Sequence, residues 1–167
     1  MAATYNLLKE KGIDSVSELD KAISDIKSDT STIRDEIREI ESSIADINET
    51  IKYAERSQTN KPVWDEYVKS GKSQKFYDSH RAELMIYESS QEFLKRKVSA
   101  GQTIKLAQLR KEASDLESKR IDLSAKLDNL KHDQRELEQA KKNVDTIIMN
   151  QEQDDKSKDK KKEQSIQ

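Results

Sequence analysis

An all-α fold is expected, a long antiparallel coiled-coil hairpin with a small helical cap insert and a disordered C-terminal tail. Three observations predict it. The first is a row of apolar residues stepping by three and four: Val16, Leu19, Ile23, Ile26, Ile33, Ile37, Ile40, Ile44, Ile47 and Ile51, extended by Ala54 and interrupted at Thr30. An average step of 3.5 residues keeps one stripe against a partner helix. The second is a matching row further on: Leu106, Leu109, Ala113, Leu116, Leu123, Leu127, Leu130, Leu137, Val144 and Ile148. Arg120, Gln134 and Lys141 fall at core-type positions in that count. The third is the segment between them, which holds Pro62, Gly71 and six of the eight aromatic residues.

Residues 4–11 predict a short helix ended at Gly12. Ser15-Val16-Ser17-Glu18 has the form of a capping box, in which Ser15 accepts from a backbone N–H and Glu18 reaches back. A long helix, the first arm, is expected over 16–58. The cap, 59–102, is expected to begin at Asn60-Lys61-Pro62, with proline in a first helical turn. Short helices near 62–70 and 73–78 follow, with Gly71 as a C-cap, and a longer one near 80–97. Trp64, Tyr67, Phe76, Tyr77, Tyr87 and Phe93 can supply a small local core. Ser99-Ala100-Gly101-Gln102 is a break, and the second arm runs over 103–150. Residues 151–167 carry one hydrophobic residue, Ile166, and are expected to be disordered.

Charge favours pairing of the two arms. Over 14–55 twelve acids stand against five bases, and over 104–150 nine acids stand against ten bases. The bias is modest, since exposed pairs contribute about 0–1 kcal/mol each. With Val16 near Ile148 and Ala54 near Leu109, Thr30 falls within a turn of Gln134, a polar layer that would help fix the register. A homodimer in which each seam pairs with another copy remains an alternative. Pro62, Gly71 and the break at 99–102 favour folding back.

Composition narrows the function classes. Of 167 residues 38% are charged and 32% hydrophobic, too little apolar content for a compact globule but enough for a hairpin that buries only a stripe. There is no cysteine, hence no disulfide and no thiolate metal site. No apolar run approaches the roughly 18–20 residues that cross a bilayer. The N-terminus lacks a charged-then-apolar leader layout. The expectation is a soluble cytoplasmic protein with no membrane partner. A net charge of −2 argues against the whole chain being a general polyanion binder.

Signals for catalysis are weak. His80 and His132 stand about fifty residues apart, and no His-x-His, His-Glu-x-x-His or glycine-rich phosphate loop occurs. Adjacent carboxylates such as Asp35-Glu36 point to different faces of a helix. Tyr67, Tyr77 and Tyr87 have no accompanying base or metal cluster, so core packing of the insert is expected of them. No catalytic residue, metal or cofactor is expected. The segment Lys69-Ser70-Gly71-Lys72-Ser73-Gln74-Lys75-Phe76-Tyr77 is more informative. Phosphate contact with base stacking uses these residue types, as does an ordinary exposed turn. Lys69, Lys72, Lys75, Tyr77 and Arg81 are the candidate contact residues for nucleic acid or a protein partner.

A resemblance rests on the insert. Tyr53-Ala54, Trp64-Asp65-Glu66-Tyr67, Ser70-Gly71-Lys72-Ser73-Gln74-Lys75-Phe76-Tyr77 and His80-Arg81-Ala82-Glu83-Leu84 resemble the C-terminal helical region of relaxases, the mobilisation proteins of conjugative plasmids and transposons in Firmicutes. Those proteins have a similar order: a short helix ending in glycine, a long helix, a tyrosine-rich insert, and a final helix closing on a motif like Lys142-Asn143-Val144-Asp145. The similarity covers residues 4–150. Relaxases nick DNA at a transfer origin in a separate N-terminal domain, with a tyrosine and a histidine-bound metal. No residue here matches that metal motif, so no catalytic position carries over. The resemblance implies a non-catalytic domain that helps assemble a DNA-transfer complex, contacting protein partners and DNA. The alternative is a structural coiled-coil scaffold or chaperone-like arm unrelated to DNA transfer.

Overall fold

Helices alone make up the secondary structure of the described residues, which are 2–97 and 104–164 of the computed structural model, with side chains as far as 154 and at 156. They are α1 (Ala2–Glu10), α2 (Val16–Lys69), α3 (Gln74–Ser79), α4 (Arg81–Lys97) and α5 (Leu106–Gln164). The long helix α2 packs against α5 as an all-α helical hairpin. The chain divides into two compact units, one holding residues up to Glu36 and from Leu123 onward, the other Ile37–Asp122.

In the first unit α1 ends where Gly12 takes a left-handed φ of 64°. The Ile13 N–H then reaches the Leu8 carbonyl at 2.9 Å and the Gly12 N–H the Lys9 carbonyl at 3.2 Å. This closes the last turn in a Schellman arrangement, which glycine adopts without a Cβ penalty. The capping box at the start of α2 forms as the sequence implies. The Glu18 N–H donates to Ser15 Oγ at 3.2 Å, while Glu18 Oε2 accepts from the Ser15 N–H at 3.1 Å and the Asp14 N–H at 2.8 Å. Those donors, the Asp14 N–H foremost, hold the Glu18 carboxyl below its ordinary pKa. Helix α1 is pinned to α5 by Asn143 Nδ2 donating to Thr4 Oγ1 at 2.8 Å, by a Lys11–Asp133 ion pair at 3.4 Å, and by burial of Ala140.

The heptad row accounts for the burial. Leu19, Thr30 and Ile33 of α2 and Leu127 and Leu137 of α5 are buried in this unit. Two ion pairs give the register, Asp20–Lys141 at 3.2 Å and Lys27–Glu138 at 3.0 Å. The helices are therefore antiparallel, and Thr30 stands at the level of Gln134, as the sequence implies. Gln134 Nε2 donates to Glu138 at 3.0 Å, and Thr30 Oγ1, fully enclosed, has no hydrogen-bond partner.

In the second unit the same antiparallel pairing places Glu41 with Arg120 at 3.9 Å and Glu55 with Arg110 at 2.5 Å. Ile40 and Ala54 are buried there. Beyond Ala54 the stripe on α2 continues through Ser57, Asn60, Trp64 and Tyr67, none of them fully exposed, and α4 covers it. Helix α4 returns antiparallel along α2. Tyr87 stacks on Trp64 at 5.0 Å, Gln91 Nε2 donates to Ser57 Oγ at 2.6 Å, Phe93 stacks on Tyr53 at 4.0 Å, and Lys97 pairs with Asp46. Leu84, 0% exposed, anchors α4 in the cap core.

Three expectations need correction or completion. The first arm does not end near 58 and no helix begins at Asn60-Lys61-Pro62, because α2 runs unbroken to Lys69 with Pro62 inside it. Proline removes the N–H that would reach the Gln58 carbonyl. Both Gln58 and Pro62 are exposed, so water can take that acceptor. The Ser57–Gln91 bond and the Trp64–Tyr87 stack hold the helix on either side. Ile148, counted in the seam, is 38% exposed. Helix α5 continues to Gln164. Residues 151–164 contain neither glycine nor proline to stop a helix, and the described side chains beyond Asn150 are exposed. Ser165–Gln167 and the break at 99–102 lie outside the described residues.

Candidate functional site

The candidate residues gather at the turn joining α2, α3 and α4. Helix α2 ends in a Schellman arrangement like that of α1. Gly71 has a φ of 68°, its N–H meets the Val68 carbonyl at 3.1 Å, and the Lys72 N–H meets the Tyr67 carbonyl at 3.0 Å. Ser70 Oγ donates to the Tyr67 carbonyl at 2.7 Å and accepts from the Ser73 N–H at 3.3 Å. The turn is thus fixed by four hydrogen bonds. It differs from the first in one respect: Lys72 itself is left-handed, with φ 60°, the single non-glycine residue of positive φ among the described residues.

This turn presents cations. Lys69 lies in the last turn of α2, Lys75 on α3, and Arg81 opens α4. Lys69, Lys72, Lys75 and Arg81 are all exposed. Among the described residues the charged group of none of the four takes part in an ion pair or a hydrogen bond, unlike Lys61, whose ammonium is held by Asp65 at 2.7 Å. One acid lies between positions 69 and 81, Asp78, and its carboxylate accepts from Gln74 Nε2 at 2.9 Å.

Tyr77 belongs to a different layer. Its ring is half-buried and tilts onto Tyr67, with centroids 5.9 Å apart. Phe76 stacks on Tyr67 at 6.2 Å and meets the His80 ring at 4.5 Å. Trp64 tilts onto Tyr67 at 5.7 Å. The aromatics therefore form one cluster centred on Tyr67. His80 closes α3, its N–H donating to the Phe76 carbonyl at 3.1 Å, while its carbonyl accepts from the Leu84 N–H at 3.1 Å. His132 lies on α5, exposed, 3.7 Å from Glu136. Sequence reasoning singled out Lys69, Lys72 and Lys75 through their spacing about Gly71. It missed the left-handed Lys72, for which the residue order carries no signal.

Among the described residues no group of three or more His, Cys, Asp or Glu side chains is placed to hold a metal ion, and no helix is long and apolar enough to cross a membrane. No family model, curated protein or solved structure matches the chain.

Proposed function

We propose that this chain is a non-catalytic helical domain of a relaxase-type mobilisation protein, acting in the cytoplasm to help assemble a DNA-transfer complex through contacts made by its cap. The observation that carries the reading is the order of parts. A glycine-capped short helix, a long helix, a tyrosine-rich insert with Ser70-Gly71-Lys72 at its turn, and a final helix through Lys142-Asn143-Val144-Asp145 follow one another, an order that resembles the relaxase C-terminal region. The hairpin supports it from a second side. Helices α2 and α5 bury their apolar stripes on each other, which leaves the cap as the place for a further contact. The test is genetic. A relaxase nicking domain, in the same reading frame or an adjacent one, is expected beside this coding sequence, and replacing residues 70–97 by a short turn should lower transfer frequency of the element. A coding region with no mobilisation genes nearby contradicts the reading and leaves the coiled-coil scaffold.

A further inference from the structure

We infer that the α2–α3–α4 turn is a nucleic-acid backbone site, in which Lys69, Lys72, Lys75 and Arg81 contact phosphates without reading bases. The choice of DNA rests on the mobilisation reading above, whereas phosphate contact rests on the turn itself. Three observations carry it. The four cations are exposed, fall within thirteen residues and lack carboxylate partners, in a chain whose net charge is −2. The positive charge is therefore local to the turn, and a local positive potential is what steers a polyanion. Lys72 holds a left-handed backbone that a glycine would adopt with less strain. A cation kept at a strained position is the pattern found where a side chain is used. Finally, the rings of Tyr67, Phe76 and Tyr77 pack against one another and are only partly exposed, whereas the four cations are fully presented. Single-strand binders rely on stacked bases; here duplex should bind at least as tightly as single strand.

Fluorescence anisotropy with a labelled 20-base strand and the matching duplex tests this on the full chain. For about four phosphate contacts, log affinity should fall with log salt at a slope of about −3 to −4 for duplex. Reversing the patch with Lys69→Glu, Lys72→Glu and Lys75→Glu should weaken binding at least about tenfold and flatten the slope. Lys111→Glu, Lys119→Glu and Lys126→Glu, an equal charge change at exposed positions on α5, should cost less than about threefold. Lys72→Gly should lower affinity without lowering the thermal midpoint, which separates loss of contact from loss of fold. Absence of duplex binding at low salt, equal losses in the two triple variants, or equally effective competition by polyglutamate would overturn the assignment. A mobilisation gene beside the coding region together with no DNA binding would overturn this site alone.

Discussion

Lys72 is where local energy and surface chemistry conflict. A left-handed backbone costs an L-residue with a Cβ about 1–2 kcal/mol, and Lys72 has φ 60° next to a glycine that already supplies the turn. Lys72→Gly should therefore stabilise the fold by about 0.5–1 kcal/mol in urea unfolding, and a loss of stability would show that the lysine stem packs usefully on the cap. Thr30 presents the opposite case, a buried hydroxyl with no partner. Thr30→Val keeps the shape and removes the unpaired group, so a gain of about 1 kcal/mol is expected from the same measurement. Glu18 adds a pH dependence. Its folded pKa lies below the ordinary 4.5 because the Asp14 N–H, and then Ser15, donate to the carboxylate. A depressed acid stabilises above its ordinary pKa and loses that contribution as pH falls through the folded value. The thermal midpoint of Glu18→Gln should thus fall below that of the native chain at pH 7, and the gap should close under acid. Ser15, Gly12 and Gly71 were legible in the sequence because caps are short-range chemistry. Thr30 was legible as the polar interruption of the seam, but its unpaired hydroxyl was not.

Among elements, α2 is the instructive one. Its seam from Val16 to Ala54 was legible because each Ile or Leu repeats at the heptad spacing. Its continuation past Ser57 was not. There the apolar residues give way to Ser57, Asn60 and Trp64, and Pro62 reads as a helix start. What overrides the proline is tertiary: α4 lies along this stretch and stacks Tyr87 on Trp64. A propensity penalty of about 3 kcal/mol is smaller than the burial and stacking on both sides of the break. If so, Pro62→Ala should raise stability by about 1–3 kcal/mol while leaving helical content unchanged or slightly increased by circular dichroism. A fall in stability would show that the proline shapes the α2–α4 contact. Helix α5 shows the converse limit. Its residues after Asn150 lack any apolar periodicity, and neither glycine nor proline stops the helix before Gln164.

For the whole molecule, the hairpin follows from two matched seams and unequal charge. In Asp20–Lys141, Glu41–Arg120 and Glu55–Arg110 the acid stands on α2 and the base on α5, as the excess of acids over 14–55 implies; Lys27–Glu138 is reversed. Such exposed pairs add little energy, so the isoleucine and leucine rows hold the helices and the charges select the partner. Pairing within one chain is the premise on which the cap becomes the place to seek function. The absence of cysteine allows a direct test of it. Asp20→Cys with Lys141→Cys, and separately Glu55→Cys with Arg110→Cys, should be joined by a short bismaleimide within one 19.3 kDa chain at low micromolar protein, with light scattering giving the mass of a monomer. Crosslinking of these pairs only between chains, with the mass of a dimer, would contradict the self-paired hairpin.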